Sequence, residues 1–271
     1  MTLLSPLGYM RCNGLLSPSL QQLKFKKIGQ EWKRLFSEFL GTFLLVFLCV
    51  SVGLPWDKDF VGRDINLDIS LTNGFTVATL ITIFGHTSGC QINPAVTLSM
   101  LFFKHIEPKL AVLYILFQCL GSIAAASILL YLTPPEAVGG LGVVQPGLNV
   151  AVREAFGTEF VITFILLFVI FAVSDKGRKT EITGSIPLAV GLTVAVCSFV
   201  GNNFSGACMN PARSIGPAVV TRFWDHHWIY WVAPITGGLS GASVYHKAFR
   251  VFKAEITTGT ADKNMHNKLL E

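Results

Sequence analysis

Residues 88–98 read SGCQINPAVTL, and residues 205–215 read SGACMNPARSI. Each places Gly, Asn and Pro, which interrupt helices and cores, between two apolar runs. Asn is a favoured helix N-cap and Pro suits the first helical turn, where its missing N–H is no loss. Asn93 and Asn210 therefore each start a short helix of about ten residues, on the order of 15 Å. That is half of a bilayer's hydrocarbon thickness.

The rest of the chain supplies the membrane. Of 271 residues, 51% are hydrophobic and only 14% charged, against about 25% charged in soluble domains. Apolar runs at residues 35–54, 69–85, 110–132, 156–174, 186–200 and 228–249 match the roughly 20 residues that a membrane helix needs. They lack the polar face of a soluble core helix. Six spans put both termini on one side. With that side cytoplasmic, only Lys58, Arg63, Arg153, Arg213 and Arg222 of the 21 Lys and Arg fall outside, which satisfies the positive-inside rule. The net charge of +5 is thus a topology signal. No basic stripe with interleaved aromatics marks a nucleic-acid surface.

The two halves repeat one another. SEFLGTFLLVF (37–47) aligns with TEFVITFILLF (158–168), SLTNGFTVATL (70–80) with PLAVGLTVAVC (187–197), and Asn93-Pro94-Ala95 with Asn210-Pro211-Ala212. Three spans per half make the repeats inverted, an arrangement that places a transport path at their interface near mid-membrane. Non-helical backbone at that depth must be buried in protein or line water. The loops at 89–92 and 206–209 then offer the carbonyls of Gly89, Cys90, Gln91, Ile92, Gly206, Ala207, Cys208 and Met209 along the path. Two helix N-termini meeting there concentrate partial positive charge, which disfavours cations and protons. The predicted layout is a tail over residues 1–32, a channel domain over 33–253 (repeats of about 33–132 and 153–250) and a tail over 254–271. The first tail is too long and too poor in apolar residues for a cleaved signal peptide. Cys49, Cys119 and Cys197 fall in spans and Cys12 in the tail, without CxxC spacing, so no disulfide framework is expected. No metal-ligand spacing, nucleotide loop or nucleophile–base pair points to an enzyme.

Through EFLGTF, GHTSGCQINPAVTL, TEFVITF and SGACMNPARSIGPA, the chain resembles the aquaporin (major intrinsic protein) family from Lys33 to Phe249. The resemblance implies an all-α membrane protein of six transmembrane helices and two re-entrant half-helices. It implies a homotetramer in the lipid bilayer, with the plasma membrane as the expected location, one passive pore per subunit and no cofactor. Asn93, Pro94, Ala95, Asn210, Pro211 and Ala212 match the pore motifs. Arg213, where the first repeat has Val96, matches the selectivity-filter arginine. Asn73, Ser198 and Ala207 fall on the other filter positions.

Several of these residues admit two readings. Glu38 and Glu159 are a proton relay or supports for the re-entrant loops. His86 is a gate or a structural histidine, and Cys208 a reactive or a buried thiol. Gly74/Ala78, Gly121/Ala125, Gly191/Ala195 and Gly237/Gly241 have the small-xxx-small spacing of close helix packing. Asn203-Phe204-Ser205, a glycosylation sequon, sits too near the second re-entrant loop to be an expected acceptor, and Thr180, Thr257 and Thr258 are candidate phosphorylation positions.

Water-selective members of the family typically hold an aromatic and a histidine where this chain has Asn73 and Ser198. Their loss predicts a wider constriction. Arg213-Ser214 and Tyr230-Trp231 keep the water-channel pattern, a mixture that resembles the insect entomoglyceroporins. The expectation is a channel for water, glycerol and urea that excludes protons and ions. The alternatives are a strictly water-selective aquaporin and a non-conducting junctional protein.

Overall fold

In the computed structural model, residues 18–56, 65–175, 177 and 185–251 are described. Eight α-helices follow in order: α1 (Pro18–Ser51), α2 (Ile65–Ser88), α3 (Pro94–Phe102), α4 (Pro108–Leu132), α5 (Val152–Val173), α6 (Ile186–Ser205), α7 (Pro211–Thr221) and α8 (Ile229–Val244). Among the described residues there is no strand. Cys12, Lys58, Arg63, Lys176, Arg178, Lys179, Thr180, Thr257 and Thr258, with most of both expected tails, lie outside the described residues.

Among the described residues, five helices are long and apolar enough to cross a membrane: Gly29–Ser51 of α1, then α2, α4, α5 and α6. The sixth expected span is not one α-helix. α8 covers 16 residues and passes at Tyr245 into a five-residue π-helical turn ending at Phe249. With that turn it reaches about the 30 Å of a bilayer core.

Three further boundaries differ from expectation. α1 begins at Pro18, inside the segment read as a tail. Pro at the first helical position and the run Leu20-Gln21-Gln22-Leu23-Lys24 favour helix, so polarity there marks a helix outside the membrane and not loss of structure. α2 and α6 outrun their expected ends, through His86-Thr87-Ser88 and Asn202-Asn203-Phe204-Ser205. Polar residues do not stop a helix; the glycines that follow do. Gly89 and Gly206 take φ of 87° and 81°, the left-handed conformation that ends helices at low cost.

The surface is apolar, and polar groups are buried among the hydrophobic residues of the interior. Leu188, Leu192, Val196 and Val200 form an exposed stripe along α6, as Val112, Leu116 and Leu120 do along α4. Glu38, Thr42, Thr97, Gln118, Ser122, Glu159, Thr163 and Ser205 are buried. Lipid can cover the stripes, while the buried groups must find partners inside.

The helices close around small residues. α2 crosses α6 where Gly74 meets Gly191: a Cβ on Gly74 would lie 2.6 Å from Gly191 O and from Ala195 Cβ. α1 packs on α4 and α5 on α8 in the same manner. A Cβ on Gly121 would lie 2.3 Å from Phe39 O, and one on Gly237 2.2 Å from Phe160 O. These are the approaches that small-xxx-small spacing permits. The pairs repeat between the halves, and α3 and α7 fill the space between them, α3 against α4 and α8, α7 against α4.

Candidate functional site: a cavity where the half-helices meet

α3 has 9 residues and α7 has 11, both about half a membrane long. Their N-caps do two jobs. Asn93 Oδ1 accepts from Ala95 N at 2.9 Å, and Asn210 Oδ1 from Ala212 N at 2.9 Å and Arg213 N at 3.3 Å. Each amide nitrogen also crosses to the other half. Asn93 Nδ2 donates to Met209 O at 2.9 Å, and Asn210 Nδ2 to Ile92 O at 2.8 Å. This reciprocal clasp binds the two repeats at their axis. An amide nitrogen carries two hydrogens, so the clasp leaves each asparagine one donor instead of the two that cap geometry alone allows.

The loops before the caps share one backbone signature. Gly89, Cys90 and Ile92 have φ of 87°, 47° and 41°; Gly206, Ala207 and Met209 have 81°, 46° and 52°. Left-handed backbone costs about 1–3 kcal/mol per non-glycine residue and persists only where surroundings over-determine it. Glu38 and Glu159 provide that. Glu38 accepts from Ser88 Oγ (2.6 Å), Gln91 N (3.0 Å), Ile92 N (2.7 Å) and Gln118 Nε2 (2.7 Å). Glu159 accepts from Ser205 Oγ (2.7 Å), Cys208 N (2.7 Å) and Met209 N (2.8 Å). Tyr114 OH and Tyr230 OH add matched bonds to Ser88 O (3.0 Å) and Ser205 O (2.9 Å). With the amide hydrogens engaged by carboxylates, the carbonyls of 89–91 and 206–208 accept no bond from protein among the described residues.

A cavity of about 380 Å³ runs beside these loops. One side carries Gly89, Cys90, Gln91, Ile92, Ala207, Cys208 and Met209 with both asparagines; the other is apolar, from Val77, Ile81, Leu166, Ile170, Val190 and Val194. A molecule inside finds a row of hydrogen-bond partners along the loops, with further polar groups at Asn73, His105 and Arg213. Gly206 is not in the wall.

Of the four filter positions, Asn73, Ala207 and Arg213 stand in the wall. Ser198 is fully buried off it, its Oγ accepting from Asn73 Nδ2 at 3.2 Å. Arg213 donates from Nη1 to the carbonyl of Gly142, in the connection between α4 and α5. Cys208 is buried and its Sγ donates to Asn210 O at 3.1 Å.

His86 is not in the wall of this cavity. On α2 the wall takes Asn73, Val77, Ile81 and Ser88, a helical stripe. His86 is two residues before Ser88, about 200° around the helix. It lines a second cavity of about 450 Å³ with Glu31, Arg34 and Lys109. His105 lines both cavities. Sequence reasoning missed His105, Gly142, Tyr114 and Gln118. Only Tyr114 had a usable signal, its place in the first repeat corresponding to Tyr230 in the second.

His105 stacks on Phe171 with ring centroids 5.7 Å apart, and Phe103 lies 5.2 Å from Phe171 and 4.6 Å from His246. Partial burial, then the charges of Arg250 and His246, push the His105 pKa down. Asp175 ties the end of α5 to the end of α8 by accepting from Gly177 N (2.9 Å), Tyr245 OH (3.0 Å) and Val251 N (3.1 Å). These bonds, that from Gly177 foremost, hold its carboxyl below the usual range.

An inverted pair of capped half-helices, clasped through Asn-Pro-Ala motifs within a six-span bundle, is the architecture of a membrane channel. The family model described as major intrinsic protein matches residues 24–245. Aquaporin-4 of Bos taurus is 41% identical over 244 residues, 88% of this chain and 75% of that protein. Aquaporin-4 of Rattus norvegicus is 43% identical over 243 residues, again 88% and 75%. The solved aquaglyceroporin from Plasmodium falciparum superposes with a TM-score of 0.71 at 22% identity, covering 80% of this chain and 96% of that one. The chain belongs to the major intrinsic protein family, the aquaporins, integral membrane channels for water and small solutes.

Proposed function

We propose that this protein is a passive channel for water and small uncharged solutes, glycerol and urea among them, that excludes protons and ions. One observation carries the solute reading: the filter positions in the cavity wall are held by Asn73, Ala207 and Arg213, with no aromatic or imidazole ring among them. Asn73 gives an N–H to buried Ser198, so its side chain is drawn to α6 and away from the centre of the path. Arg213, Asn93 and Asn210 supply donors, and the loop carbonyls supply acceptors. The converging helix N-termini and the Arg213 guanidinium repel cations, and the apolar wall denies a permeating chain of water a second row of partners. Glu38 and Glu159 act as supports for the strained loops, the plasma membrane is the expected location with both termini cytoplasmic, and the assembly is a homotetramer. The missing rings also support the likeness to the entomoglyceroporins.

Stopped-flow light scattering on proteoliposomes tests this. Glycerol and urea uptake should exceed that of empty liposomes, and Ser198→His should reduce glycerol uptake more than water flow, because its ring must occupy the space beside Asn73. Uptake equal to empty liposomes alongside fast water flow would establish the strictly water-selective alternative.

A further inference from the structure

The side chain of Gln91 has a place in the channel that its backbone role does not explain. Its main-chain N–H is fixed, donating to Glu38 Oε1 at 3.0 Å. Its side-chain carbonyl Oε1 is buried and has no hydrogen-bond partner. Gln118 also leaves its Oε1 without a partner, but its Nε2 is anchored to Glu38 Oε2 at 2.7 Å and Thr97 Oγ1 at 3.0 Å and it lines neither cavity, whereas Gln91 lines both. A buried acceptor left without a partner is expensive, and native proteins retain one chiefly where something else supplies the bond.

Its position indicates what does. Gln91 lines the channel cavity and also the second, charged cavity that contains Glu31, Arg34 and Lys109. Ser88, Gly89 and His105 are shared by both in the same way. The amide therefore stands where the channel meets a wider polar space, next to the Asn93 cap and towards the start of α1. Arg213, bonded to the α4–α5 connection, stands at the other end.

We infer that the Gln91 side-chain amide is a second specificity-determining station, taking a hydrogen bond from hydroxyl or amide solutes as they pass between the channel and the charged cavity. This rests on the reading of the cavity as a solute path. An amide accepts and donates, matching polyols and ureas, which do both. Water gains less, because the loop carbonyls beside Gln91 serve it equally well.

The test compares wild type with Gln91→Met and Gln91→Asn in proteoliposomes, measuring water, glycerol and urea permeability in each. Methionine keeps the length and apolar stem and removes both hydrogen-bonding groups. One lost net bond corresponds to roughly a two- to tenfold effect. Gln91→Met should lower glycerol and urea permeability by that factor with a smaller loss for water, and Gln91→Asn should restore part of it. Unchanged solute-to-water ratios in Gln91→Met would overturn the inference. A uniform loss of all three fluxes in protein that elutes like wild type would also overturn it, because it assigns Gln91 to loop support. The wild-type arm alone judges the solute path: if wild type passes water but neither solute, that reading falls and this inference falls with it.

Discussion

A carboxylate inside a membrane protein survives only if its oxygens are engaged. Glu38 receives four donors and Glu159 three, and two in each set are backbone N–H groups of a re-entrant loop. Replacing either by glutamine keeps the shape but turns one acceptor into a donor that faces other donors. Each N–H so stranded costs about 1–3 kcal/mol. Glu159→Gln should therefore lower the thermal unfolding temperature in detergent and reduce water permeability in proteoliposomes. Glu159→Asp, a shorter acid, should retain more of both. A variant of normal stability that lost only proton-coupled behaviour would instead make Glu159 a relay. The strain at Ile92 and Met209 has the same origin: a left-handed β-branched or long residue is rare, and here the carboxylate bonds, together with the asparagine clasp, hold it.

At the scale of elements, the crossing of α2 and α6 fixes the channel's width. Gly74 follows Asn73 directly, so whatever separates these helices also moves the filter wall. Gly74→Leu adds a side chain where even a Cβ sits 2.6 Å from Gly191 O. Overpacking of this kind costs about 1–3 kcal/mol or more. The variant should unfold at lower temperature and show an altered glycerol-to-water permeability ratio; an unchanged ratio would show that the crossing does not set the filter.

His105 and Asp175, near the end of α5 and the end of α8, carry the pH dependence. His105 has its pKa depressed, so it favours the neutral form when folded. The stability this gives is present above the unfolded histidine value of about 6.5 and is lost as pH falls through the lower folded value. Arg250 and His246 oppose its protonation, while Glu31, Glu107 and Asp175 line the adjoining cavities. Acidification from pH 7 to pH 5 should thus lower the unfolding temperature, and His105→Gln should remove part of that drop. Asp175, depressed likewise, loses its contribution only at lower pH.

Across the whole molecule, what the sequence could reveal was what repeats or recurs. The two Asn-Pro-Ala motifs located both half-helices, because cap chemistry is local and the same residues did it twice. Spans were legible from apolar runs, yet their ends were not. His86-Thr87-Ser88 looks like a break in composition but is helical until Gly89 permits the turn. The reciprocal bonds of Asn93 and Asn210, the Gly142 carbonyl on Arg213 and the Gln118 bond to Glu38 join residues far apart in the chain, and no local pattern encodes them. Proximity in sequence to the motif likewise does not reveal the face of α2 on which His86 lies, lining the second cavity. The buried position of Ser198 behind its bond to Asn73 also needed three dimensions.

The proposed function makes the cavity beside the clasped asparagines a path for neutral molecules and a barrier to protons. Its most direct test is one stopped-flow experiment on wild-type proteoliposomes loaded with a pH-sensitive dye, recording osmotic shrinkage and proton entry together. Shrinkage should be several times faster than in empty liposomes, with dye response no greater than theirs. Shrinkage at the empty-liposome rate, or protons entering along with the water flow, would contradict it.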